Sequence, residues 1–107
     1  MSKIMIKIAT DYSLFPAGRY RIDGPFSGEK FRDEVLFPAV SSNDKVIVDL
    51  DDTLGLGSSF LEEAFGGLIR NYGLDSRTLR NKLEIKSSLS SYVTEIWEYI
   101  DQAKKRR

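Results

Sequence analysis

Residues 46–68 read VIVDLDDTLGLGSSFLEEAFGGL, and the fold class turns on the change of period inside this stretch. Val46, Ile47 and Val48 form a β-branched run with no polar interruption, as a strand covered on both faces requires. Leu61, Ala64, Phe65 and Leu68 then recur at helical spacing, and Ile69 and Tyr72 carry the stripe to Gly73, where a left-handed C-cap belongs. Ser59 followed by Glu62 has the spacing of a capping box, so a helix is predicted over 59–72 and a glycine-bearing loop over 51–57.

Working outward, Leu83 and Ile85 alternate with Lys82, Glu84 and Lys86 as a short strand. The preference for right-handed crossovers makes it a parallel neighbour of 46–49. Serines within 87–91 supply caps for a final helix in which Tyr92, Val93, Ile96, Ile100 and Ala103 share a face. Its acidic Glu95, Glu98 and Asp101 precede the basic residues 104–107, as the helix dipole favours. Upstream, Ile4, Ile6 and Ile8 alternate with lysines and Met5 as a first strand. Residues 19–22 form a strand-like island closed by Asp23-Gly24, and Ser27 is a plausible cap for a helix over 29–37 that Pro38 ends or kinks. The pattern predicts an α/β fold: one domain over residues 1–107, a small mixed β-sheet, and helices packed mainly on one face.

Composition narrows the function. With 107 residues, 41% hydrophobic and 30% charged, the chain fits one domain with a real core. Sixteen basic residues balance sixteen acidic ones, so no bulk field attracts nucleic acid or an anionic membrane. Cysteine and histidine are both absent, which removes thiolate and imidazole chemistry from the candidates. No apolar run reaches the roughly 18 residues of a spanning helix. These features predict a cytoplasmic protein, monomeric or weakly dimeric, without cofactor or metal.

The nonamer VIVDLDDTL, residues 46–54, resembles the first motif of haloacid dehalogenase-like phosphatases. That resemblance implies a magnesium-dependent phosphoryl-transfer site with Asp49 as nucleophile and Asp51 as general acid. The end of a buried strand suits such a site. The plainer reading is that Asp49 ends the strand and Asp51 and Asp52 start a turn. After Asp52 only Asp75 and Asp101 follow as aspartates, so the later acidic pair of that family has no counterpart.

The longer stretch resembles the central signature of STAS domains, the fold of bacterial anti-sigma factor antagonists. GRYRIDGPFSGEKFR, residues 18–32, together with GSSFLEEAFGGLIR, residues 57–70, resembles a bacterial STAS-like domain family of unknown function. The similarity runs over nearly the whole chain. It implies a non-catalytic signalling module that acts by protein–protein interaction, with a histidine-kinase-like ATPase as the kind of partner. The phosphorylatable serine of the antagonists corresponds to Ser59, with Ser58 beside it. Gly57 stands where those proteins have an aspartate, and Phe60 where they have a glycine. A capping role alone would also account for Ser59.

Two surfaces follow as expectations. Opposite the apolar stripe of the predicted helix lie Ser59, Glu62, Glu63, Gly66, Gly67 and Arg70. With Gly55 and Gly57 of the preceding loop they form a candidate partner-binding face, although close packing of a neighbouring helix would equally explain glycines inside a helix. Arg19, Arg21 and Arg32 surround Ser27-Gly28 at a predicted helix start, a candidate anion site.

Overall fold

The computed structural model describes residues 2–105. Three strands, β1 (Lys3–Lys7), β2 (Lys45–Asp49) and β3 (Leu83–Lys86), form a parallel sheet in the order β1-β2-β3. Ile4, Val46 and Leu83 stand in register, as do Ile6, Val48 and Ile85. These alternate positions face one way, and all but Ile4 are buried in the core. On the opposite face Met5 is 51% exposed, whereas Ile47 on the central strand is buried. The predicted parallel pairing of residues 46–49 with 83–86 is observed. The predicted mixed sheet is not, because residues 19–22 form no strand. A 3-10 turn, Arg21–Asp23, takes their place. The Asp23 carboxylate accepts from the Tyr20 N–H at 2.8 Å, and the Glu29 carboxylate accepts from the Arg21 N–H at 2.9 Å. Backbone donors that a ladder would need are thus held by side chains.

The first strand also ends earlier than its alternation suggests. Ile8 opens a single helical turn, α1 (Ile8–Asp11), where the Asp11 carboxylate accepts from the Lys7 N–H at 2.8 Å. Helix α2 spans 28–42 and helix α3 spans 58–72, each with a π-helical turn at its centre: Arg32–Leu36 and Glu62–Gly66. Ser27 caps α2, its hydroxyl accepting from the Lys30 N–H at 3.1 Å. Pro38 does not end this helix. The wider π turn just before it displaces the carbonyls with which the ring would clash, so the helix continues to Ser42. Gly73 closes α3 at φ 70 and ψ 16, the left-handed cap its position predicts.

A seven-residue helix that periodicity did not reveal, α4 (Ser76–Lys82), leads into β3. Its one buried residue is Leu79, too little for a stripe. Asp75 caps it by accepting from the Thr78 N–H at 2.8 Å. The final helix, α5 (Ser90–Gln102), buries Ile96 and Ile100, with Tyr92, Val93 and Ala103 packed at the core's margin. Of the predicted basic terminus, Arg106 and Arg107 lie outside the described residues. Helix α3 packs against α2 on one side and α5 on the other, and Phe31, Phe60, Phe65 and Leu68 are fully buried between helices and sheet. No helix among the described residues is long and apolar enough to cross a membrane.

Candidate functional site

The loop from β2 to α3 presents its serines to solvent. Helix α3 starts at Ser58, one residue earlier than predicted. Gly57 is the N-cap, with φ −75 and ψ 155 and no side-chain bond. The expected Ser59–Glu62 capping box is therefore absent, because Glu62 turns away to pair with Arg19 and Arg70. Ser58 and Ser59 are both exposed, immediately before the buried Phe60 and Leu61. The same loop and the one tied to it carry exposed apolar residues that sequence reasoning missed. Leu54 is 68% exposed, Phe15 66% and Leu14 47%, and the Leu54 N–H donates to the Leu14 carbonyl at 2.9 Å. That bond ties the loop after α1 to the loop before α3. The available signal was three large apolar residues in segments otherwise marked as loop by Pro16 and Gly55.

The predicted partner-binding face of α3 is mostly interior. Glu63 and Arg32 are almost fully buried and meet at 2.5 Å. Arg19 and Arg70 reach Glu63 at 3.1 and 3.2 Å, and both also bond Glu62. Arg32 continues to Asp33 at 2.8 Å, and the Tyr72 hydroxyl donates to Asp33 at 2.8 Å. Burial alone would raise the Glu62 carboxyl, but the hydrogen bonds from Arg70 and Arg19 outweigh it and hold its pKa below the ordinary value. The two glycines answer the same packing. A Cβ on Gly67 would lie 2.6 Å from the Arg32 guanidinium, and one on Gly66 would crowd Glu62 and the Tyr99 carbonyl. Gly66, Gly67 and Glu63 thus serve helix–helix contact within the domain, while Gly55, Gly57, Ser58 and Ser59 remain at the surface.

The candidate anion site is satisfied internally. The Gly28 and Glu29 N–H groups donate to the Gly18 and Arg19 carbonyls at 3.0 and 2.9 Å, and Ser27 is fully buried. Arg21 pairs with Glu34 at 2.8 Å and with Asp33 at 3.5 Å, while Arg19 and Arg32 belong to the cluster just described. These amides and guanidiniums are engaged by partners within the domain.

The aspartates after β2 hold the loops around them. Asp49 accepts from the Asp51 N–H at 2.9 Å and lies between Lys7 and Lys86, at 3.5 and 3.8 Å. Asp51 accepts from the Ser88 N–H at 2.8 Å and from its hydroxyl at 3.0 Å; the backbone bond is the main reason its pKa is lowered. Asp52, at φ 72, pairs with Lys7 at 2.9 Å. No group of three or more acidic side chains among the described residues could hold a metal ion. The plainer reading of these aspartates, strand end and turn, matches their bonds, and nothing here supports phosphoryl transfer.

A family model described as the STAS-like domain of unknown function matches residues 27–93, well over half of the 107. The chain belongs to that family. Comparison with curated proteins gives no match, and neither does comparison with solved structures. The matched span of the STAS-like domain runs from the Ser27 cap through both π turns to the start of α5. It includes Arg32, Glu62, Glu63 and Arg70 of the ionic cluster along with Ser58 and Ser59.

Proposed function

We propose that this STAS-like domain is a non-catalytic bacterial regulatory module that works by reversible protein–protein contact at the β2–α3 loop. The observation that carries the reading is the exposure of Leu14, Phe15 and Leu54 on two loops tied by a backbone hydrogen bond, one of which runs on to the exposed Ser58 and Ser59. Large apolar side chains on a surface are costly to leave in water and mark a place where a partner covers them. The docking surface consists of these apolar residues with Gly55, Gly57 and Ser59, and the buried part of α3 positions it from behind.

Ser59 is the proposed phosphorylation site and Ser58 its neighbour, by analogy with anti-sigma factor antagonists. A phosphate would add about −1.5 to −2 charges at neutral pH. At the start of a helix the dipole tolerates that charge, so the fold survives and the effect falls on docking. Three arginines already neutralise Glu62 and Glu63. The phosphate would therefore introduce a fresh charge at the end of the loop that carries Leu54, where a partner would have to desolvate it. The partner proposed is a histidine-kinase-like ATPase, and its need for ATP places the module in the cytoplasm.

The test is affinity purification from the native host with four baits: wild type, Leu54→Asp, Ser59→Ala and Ser59→Asp. Wild type and Ser59→Ala should retain an ATPase of that class, and the two aspartate variants should lose it. Identical partner lists from all four baits would refute the reading.

A further inference from the structure

A cleft among the described residues lies remote from Ser59. It occupies about 450 Å³ at the end where the strands begin, whereas Ser59 follows the end where they finish. Register places Ile47 and Glu84 on one face of the sheet and Leu83 and Ile85 on the other, yet all four line this cleft. A single cleft that touches both faces wraps the free edge of β3. Among the described residues that edge has no partner strand. The Lys86 carbonyl points inward and accepts from the Leu50 N–H at 2.9 Å, so strand alternation turns the Ile85 N–H and carbonyl outward. No described residue bonds them there.

The charge of the lining is one-sided. The Lys45 ammonium donates to the Asn81 carbonyl at 2.6 Å and that of Lys82 to the Val40 carbonyl at 2.8 Å, both neutral acceptors. Neither these lysines nor Lys3 has a carboxylate partner among the described residues. Arg80 pairs with Asp101 at 2.7 Å and lies over the Trp97 ring. Glu84 is the one carboxylate in the lining.

We propose that β3 accepts an extended acidic segment of a protein partner as a fourth strand. The outward main-chain groups at Ile85 supply ladder hydrogen bonds, and side chains of the added strand fall alternately on the face of Glu84, where Lys45 and Lys82 also line the cleft, and toward Arg80 and Trp97. Charge selects this occupant over a second copy of the chain, because two-fold pairing of the same edge would bring like lysine sets together.

The test is selection of a random heptapeptide display library on the domain, followed by synthesis of the winners. Selected peptides should carry Asp or Glu at alternate positions and slow amide exchange at Ile85 by roughly tenfold or more. The Lys45→Glu/Lys82→Glu variant should weaken them by roughly tenfold, with its melting temperature confirming the fold. A library that returns nothing, winners without acidic enrichment, or protection at the β2–α3 loop instead of Ile85 would overturn the proposal. So would a thymidine decamer that binds the same lysines more tightly than any winner. The Leu54→Asp variant leaves this cleft intact, so the two surfaces stand or fall separately.

Discussion

Gly28 occupies a site where an added Cβ would lie 2.5 Å from the Phe60 carbonyl oxygen, a backbone atom of α3 that cannot swing aside. Helix propensity favours alanine there by up to about 1 kcal/mol, but the enforced separation of α2 from α3 should dominate. Gly28→Ala is expected to destabilise the domain by about 1–2 kcal/mol, read from the midpoint of urea unfolding. Gly57 is the contrasting case, with open space around it and a φ that any residue adopts. Gly57→Ser should supply the missing side-chain cap and stabilise by a few tenths of a kcal/mol, about a degree or two in Tm. Glu63 is the costliest side chain to lose. Removing it strips buried Arg32 of its closest carboxylate, and breaking a buried pair typically costs about 3–5 kcal/mol. A domain of this size has only about 5–15 kcal/mol in total, so Glu63→Leu should lose a large share of its stability, read as a lowered midpoint of urea unfolding by circular dichroism.

The elements show why some of this was legible and some was not. Strands β2 and β3 and helices α3 and α5 were readable because each carries a periodic apolar set whose period matches its geometry. Helix α4 was not, since Leu79 is its one buried residue and its definition comes from the Asp75 cap. Seven residues cannot hold a helix by propensity alone. Asp75→Ala should therefore cost about 1 kcal/mol, and amide exchange within Ser76–Lys82 should accelerate before the rest of the domain. Glu63 was misjudged for a related reason: residues 63–69 are covered on every side between α2 and α5, which turns an apparent acidic docking face into a buried ion pair. The serines at the start of α3 were legible by position. The exposed apolar residues were not, because Leu14 and Leu54 are 40 residues apart and only the folded loops join them.

For the molecule as a whole, charge balance is local. Glu62 and Asp33 have pKa values held low: burial opposes the shift, but hydrogen bonds from Arg70 and Arg19 in the one case and from Arg32 and Tyr72 in the other prevail. Groups depressed in this way stabilise the fold fully above their unfolded pKa of about 4, and the contribution fades as pH falls through the lower folded value. Melting temperature should thus be flat from pH 7 to about 5 and fall steeply below about 4, and Glu62→Gln should shrink that fall. Strand order has a further consequence. The chain adds β1, β2 and β3 in one direction without reversing. Open α/β sheets form their ligand crevice where successive connections diverge to opposite sides, at a topological switch point. The three described strands hold none, and Asp49 ends its strand buried beside Lys7 and Lys86 instead of at the mouth of such a crevice.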